Sequence, residues 1–136
     1  MGVTCSWVDL EFLSKELPSL SKSQLKVNVL GTEYKIEYKK REDDEQLEES
    51  DGYCDTSSKL IVVEDMKLEK GSKKDLKTYA KQVLRHEIIH AFLHESGLDN
   101  CSLVYSAGWA KSEEMVDWIA LQSPKMLKAF KEADCI

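Results

Sequence analysis

Two of the three histidines in this 136-residue chain, His86 and His90, lie four positions apart, and Glu87 follows the first. On an α-helix this spacing puts both imidazoles on one face, one turn apart. Two imidazoles placed in this way can bind one zinc ion at about 2.0–2.1 Å each. Glu87 lies about 100° further round the helix, where it can act as a general base toward the water that the zinc activates. The segment therefore predicts a catalytic zinc site.

A catalytic zinc ion normally has three protein ligands and one open position. His94 lies about 12 Å along the helix from His86, too far to share the metal easily, and is expected in the core or in support of a ligand. Glu114 and Asp117 share one face of a later helix, where one carboxylate can bind zinc and another can orient a histidine. Glu114 is the predicted third ligand, and Glu113 is the alternative because sequence does not determine the helix phase.

The segment from His86 to His90, followed by Glu114 on a later helix, resembles the gluzincin group of zinc metallopeptidases. Its continuation through His94 and Asp117 is most similar to short phage-encoded zincin-like metallopeptidases. It is more distantly similar to anti-repressor proteases of mobile elements and to related stress-response regulators. The resemblance covers roughly residues 52–122.

The resemblance implies that His86, His90 and Glu114 bind Zn²⁺ and that Glu87 is the base. It also implies that the strand from Leu60 to Val63 lies next to the sheet edge that binds substrate. The expected activity is endopeptidase cleavage of a peptide or protein, which adds as a strand along that edge.

Two other functions fit the same residues. A binding or regulatory module could keep the metal site without cleaving anything, which suits the small size of the chain. A structural zinc domain would close the fourth metal position, commonly with a cysteine, and Cys101 lies between the two motifs. Glu87 favours the peptidase, because neither alternative needs a base beside the metal.

The elements that position these residues predict an α+β fold. We expect a minimal zincin-like domain, with a small, mainly antiparallel sheet packed on a buried active-site helix and further C-terminal helices. Alternating patterns predict one strand pair at 25–29 and 34–38, and a second at 53–55 and 60–63. Four consecutive apolar residues, Leu60 to Val63, predict a strand buried on both faces.

The active-site helix is predicted to begin at a capping box formed by Ser72 and Asp75 and to stop at Gly97. Apolar residues surround its axis from Ile88 to Leu93, which predicts that this half of the helix is buried all round.

Other segments complete the predicted architecture. Trp7 to Leu17 is expected to form a short N-terminal helix, and the charged run from Glu42 to Asp51 a solvated loop or surface helix. Ser112 to Gln122 predicts one C-terminal helix, and Ser123-Pro124 caps a last, separate one.

Length and charge narrow the function further. A chain of this size fits a single domain, residues 1–136. The net charge of -6 argues against nucleic acid as a partner, and no apolar run reaches the length of a membrane span. Four scattered cysteines and no secretory signal predict free, buried thiols in a cytoplasmic protein. The sequence indicates neither the substrate nor the oligomeric state.

Overall fold

The computed structural model describes residues 25–101 and 109–136, and it has the α+β architecture that the sequence predicts. The strands are β1 (Leu25–Val29), β2 (Thr32–Lys39), β3 (Gly52–Asp55) and β4 (Leu60–Glu64), and the helices are α1 (Leu76–Glu95), α2 (Leu98–Cys101) and α3 (Glu113–Glu132). The helix predicted from Trp7 to Leu17 lies outside the described residues. Within the described ranges, no helix is both long enough and apolar enough to cross a membrane.

The four strands form one sheet in the order β1-β2-β4-β3, antiparallel except for the central β2–β4 pair. Both predicted strand pairs are therefore present. Leu30 and Gly31, with φ angles of 51° and 94°, form a two-residue turn that suits the twist of the first pair. Strand β4 lies between two neighbours, and Ile61, Val62 and Val63 are all 0% exposed, which confirms a strand buried on both faces.

Helix α1 begins later than the predicted capping box would place it. Asp75 is the N-cap residue, and its side chain accepts a hydrogen bond from the N–H of Thr78 at 3.0 Å. The hydroxyl of Ser72 is already used in the preceding turn, where it bonds the backbone of Glu69. Gly97 terminates the helix with a φ of +79°, a conformation that glycine adopts without steric cost.

Helix α1 packs on the sheet with one side and on α3 with another. Val83 and Ala91 belong to the core formed with the strands, and Leu93 packs with Val116 of α3. The prediction of burial all round the helix is only partly right, because Phe92 is 40% exposed. A helix packed on two sides keeps a stripe of its surface outside both contacts.

Helix α3 is continuous from Glu113 to Glu132, so the prediction of two separate helices around Pro124 is wrong. Proline lacks the N–H that would bond the carbonyl of Ala120, four residues earlier. Nε of Arg85 on α1 donates to that carbonyl at 2.6 Å. The helix therefore passes through the proline with the freed carbonyl satisfied from a neighbouring helix.

The acidic segment between β2 and β3 forms two 3₁₀ turns, Arg41–Asp43 and Glu45–Leu47. It is attached to the domain more firmly than a solvated loop would be. The side chain of Leu47 is fully buried, and the guanidinium of Arg41 forms ion pairs with Asp51 and Glu64. These contacts hold the chain where it enters β3.

Two of the four cysteines have described side chains. Cys54 and Cys135 are both free thiols, as predicted, but Cys54 is half-buried and Cys135 is exposed near the end of the chain. The side chains of Cys5 and Cys101 lie outside the described part of the structure.

Candidate active site

A cleft of about 820 Å³ lies between strand β3 and the helices α1 and α3. Helix α1 contributes His86, Glu87 and His90 to its wall, and α3 contributes Glu113 and Asp117. The fold thus brings residues from both sequence motifs to one surface.

The two histidines of the motif face each other across one helical turn. Their Nε2 atoms are 2.9 Å apart, and their ring centroids are 4.7 Å apart. Nδ1 of His86 lies 2.7 Å from Oδ1 of Asp117. Because an ionised carboxylate only accepts hydrogen bonds, Nδ1 carries the hydrogen and Nε2 of the neutral ring keeps a lone pair. Asp117 therefore fixes the tautomer of His86 that a metal ligand needs.

The third group that meets the histidines is Glu113. Its Oε2 lies 3.0 Å from Nε2 of His86, and its Oε1 lies 3.3 Å from Nε2 of His90. Glu114 is exposed, and it forms no hydrogen bond or ion pair with a described residue. Ser112 caps α3, so Glu113 is the first residue of the helix and Glu114 is turned about 100° away from it. The structure brings Glu113, rather than Glu114, to the histidines.

The donor atoms of these three side chains fit a metal ion. The two imidazole nitrogens are 2.9 Å apart, and each lies 3.0–3.3 Å from a different oxygen of the Glu113 carboxylate, distances short enough for a shared metal ion. Burial lowers the pKa of His90 and so favours the neutral imidazole, which is the form that binds a metal. Two imidazole nitrogens and one carboxylate form a donor set that zinc uses in catalytic sites.

Glu87 lies beside this cluster. An oxygen of its carboxylate is within 4.8 Å of nitrogens of both His86 and His90. It is only 6% exposed, and burial raises its pKa to about 7. A carboxyl group with such a pKa can both accept and return a proton near neutral pH.

His94 is separate from the cluster. Its Nδ1 bonds Oδ2 of Asp99 at 2.9 Å, near the C-terminal end of α1. His94 thus bonds Asp99 and is not part of the group formed by His86, Glu87 and His90.

Strand β3 forms one wall of the cleft and lies at the edge of the sheet, since among the described residues it pairs only with β4. The N–H of Glu64 donates to the carbonyl of Asp51 at 2.9 Å. Because bonded and non-bonded pairs alternate along antiparallel strands, the backbone groups of Gly52 and Cys54 face away from β4. The edge therefore presents two sets of backbone donors and acceptors, and β4 lies directly behind it.

Sequence reasoning did not single out two residues that shape this site. A Cβ atom on Gly52 would lie 2.6 Å from Cγ1 of Val83 and 3.4 Å from Cγ of Glu87, so glycine lets α1 approach β3 closely. Arg85 reaches α3 at the carbonyl of Ala120. Pro124, in the middle of α3, is the sequence feature that could have indicated that this carbonyl lacks a donor within its own helix.

No protein family model, curated protein or solved structure matches the chain.

Proposed function

We propose that the protein is a zinc-dependent endopeptidase in which His86, His90 and Glu113 bind the metal and Glu87 is the general base. The convergence of three metal-binding side chains next to a buried glutamate, in the wall of an open cleft, carries this proposal. Glu113 takes the place of Glu114 in the ligand set because its carboxylate contacts both imidazoles.

Each residue has a distinct task in the proposed reaction. Zinc held by the three ligands would act as a Lewis acid toward the scissile carbonyl and make water a nucleophile near neutral pH. Glu87 would accept a proton from the attacking water and deliver it to the leaving amine. Asp117 would keep the His86 ring in one orientation through the Nδ1–H.

The outer edge of β3, unpaired within the described part of the chain, supports a peptide as the substrate. An extended peptide can add as a further strand, bonding the outward backbone groups of Gly52 and Cys54. This mode recognises the main chain of the substrate and needs no free terminus, which suits cleavage within a chain. The cleft runs past the histidines, so the added strand would pass beside them.

Metal analysis tests the ligand set. The purified protein should contain about one zinc per chain, and His86→Ala or His90→Ala should lose it. His94→Ala is the matched control on the same helix and should retain zinc, because His94 bonds Asp99 instead. The ligand set is wrong if His94→Ala loses as much zinc as the other two variants.

Glu87→Gln tests catalysis separately from metal binding. The substitution keeps the shape of the side chain but removes the basic oxygen, so zinc content and melting temperature should stay near those of the unmodified protein. Hydrolysis of a peptide library should fall by roughly 10²–10⁴-fold.

Two other outcomes would favour the competing functions. A zinc-loaded protein that cleaves no peptide, with or without Glu87→Gln, would be a binding module. Loss of zinc from Glu87→Gln, to the extent seen with His86→Ala, would favour a structural zinc site.

A further inference from the structure

The carbonyl of Ala120 needs a hydrogen-bond donor from outside its own helix. Pro124 lies within α3 and has no N–H for the carbonyl four residues before it. Ala120 is 0% exposed, so water does not reach it readily. An unsatisfied buried carbonyl destabilises the folded state, and the chain around it shifts to find a donor.

Arg85 supplies that donor from α1. Its Nε lies 2.6 Å from the Ala120 carbonyl, and a charged donor makes a stronger hydrogen bond than a neutral one. In an uninterrupted helix this carbonyl would already accept from the N–H of residue 124. The proline thus makes a link between the two helices possible at this position.

The link lies next to the proposed metal site. Arg85 directly precedes His86 on α1, and Ala120 lies about one turn after Asp117 on α3. The hydrogen bond between His86 and Asp117 therefore lies within a turn of the Arg85 contact on both helices. Any shift of α3 at Ala120 would be transmitted to the side chains that α3 places on the histidines.

We propose that Arg85 is a positioning residue, which keeps α3 in place over the histidines by satisfying the carbonyl that Pro124 frees. This inference rests on the proposed function, because its consequence for activity is the placement of Glu113 and Asp117 at a zinc site. It follows that replacing Arg85 should have little effect on the site once Pro124 is also replaced.

Four variants test this coupling: Arg85→Met, Pro124→Ala, the double variant, and Lys81→Met as a control. Lys81 lies one turn before Arg85 and is exposed. Zinc affinity is measured by competition with a chelator. In the metal-free protein, proton NMR follows the downfield Nδ1–H signal of His86, which reports the bond to Asp117 without any metal.

Arg85→Met should weaken zinc binding by about 10–100-fold, as loss of a group that supports a metal ligand does, and should weaken the His86 signal. Pro124→Ala restores an N–H for the Ala120 carbonyl, so the double variant should recover most of both losses. Lys81→Met should behave as the unmodified protein.

The remaining outcomes are distinguishable. Arg85→Met with unchanged affinity and an unchanged His86 signal would overturn the positioning role. A loss that Pro124→Ala fails to restore would overturn the coupling to the proline. If the unmodified protein binds no zinc, the proposed function fails, and the NMR series alone decides whether Arg85 holds α3 at His86.

Discussion

Glu113 and Glu114 have the same side chain, but they lie in different surroundings. Both side chains are exposed, but Glu113 contacts both imidazoles, whereas Glu114 forms no hydrogen bond or ion pair with a described residue. A carboxylate becomes a ligand only where it meets other donors at the spacing that a metal requires. At the scale of single residues, which of the two glutamates contacts the histidines therefore depends on about 100° of rotation around the helix axis.

The adjacent glutamates give a matched pair for experiment. Glu113→Ala leaves only two protein donors and should reduce zinc affinity by more than the roughly 10–100-fold typical of losing a supporting group. Glu114→Ala removes an exposed charge and should leave the affinity nearly unchanged. Both affinities are measured by competition with a chelator, and the opposite ranking would restore Glu114 as the ligand.

At the scale of elements, the cleft depends on how closely α1 approaches β3. A Cβ atom at Gly52 would lie 2.6 Å from Cγ1 of Val83 and 3.0 Å from the carbonyl oxygen of Val62. The same atom would lie 3.4 Å from Cγ of Glu87. The turn of α1 that carries Glu87 therefore packs directly on a position that has no side chain.

Gly52→Ala should push α1 away from β3 and destabilise the protein by about 1–3 kcal/mol, the usual cost of overpacking. Urea denaturation measures this loss, and Val83→Ala provides the compensating change because it removes the nearest atom. The double variant should lose less than the sum of the two single losses. Strict additivity would show that Gly52 and Val83 do not compete for the same space.

Local patterns in the sequence were sufficient for several of these elements. Alternation predicted the first strand pair, and the apolar run from Leu60 to Val63 predicted a strand buried on both faces, which the full burial of Ile61, Val62 and Val63 confirms. The spacing of His86 and His90 also brought them together on one helix face, since that depends only on helix geometry.

Features that depend on contacts between elements could not be read in the same way. Ser72 is not the N-cap residue of α1, because its hydroxyl bonds the carbonyl of Glu69 in the preceding turn. Pro124 does not end α3, because Arg85 on another helix satisfies the freed carbonyl. The choice between Glu113 and Glu114 depends on how α3 packs against α1, and no pattern within α3 contains that information.

At the scale of the whole molecule, α1 is held to the sheet region at both ends. Near its start, the hydroxyl of Tyr79 donates to a carboxylate oxygen of Asp51. At its end, Glu95 accepts from Lys59 at 2.6 Å and from Tyr34 at 2.7 Å. These polar contacts lie on either side of the apolar core under the middle of the helix. They therefore fix the position over β3 of the turn of α1 that carries His86 and His90.

The contacts of Glu95 make part of the stability depend on pH. Hydrogen bonds from Lys59, Tyr34 and Thr32 lower the pKa of Glu95 from 4.5 to about 2 in the folded protein. As the pH falls, the unfolded chain takes up this proton before the folded protein does. The stabilisation is therefore complete above the unfolded pKa and is lost as the pH falls from about 4.5 to about 2.

Glu95→Gln should lower the free energy of unfolding at pH 7, because Lys59 loses its ionised partner. The difference from the unmodified protein should shrink below about pH 4.5 and vanish only once the pH falls below about 2, where Glu95 is protonated in both states. Urea denaturation at a series of pH values measures this. Glu33→Gln is the control, since Glu33 forms an exposed pair with Lys26 and such pairs contribute little. A difference that stays constant from pH 7 to pH 2 would show that Glu95 stabilises the fold through its shape alone and that its contacts with Lys59 and Tyr34 do not act through charge.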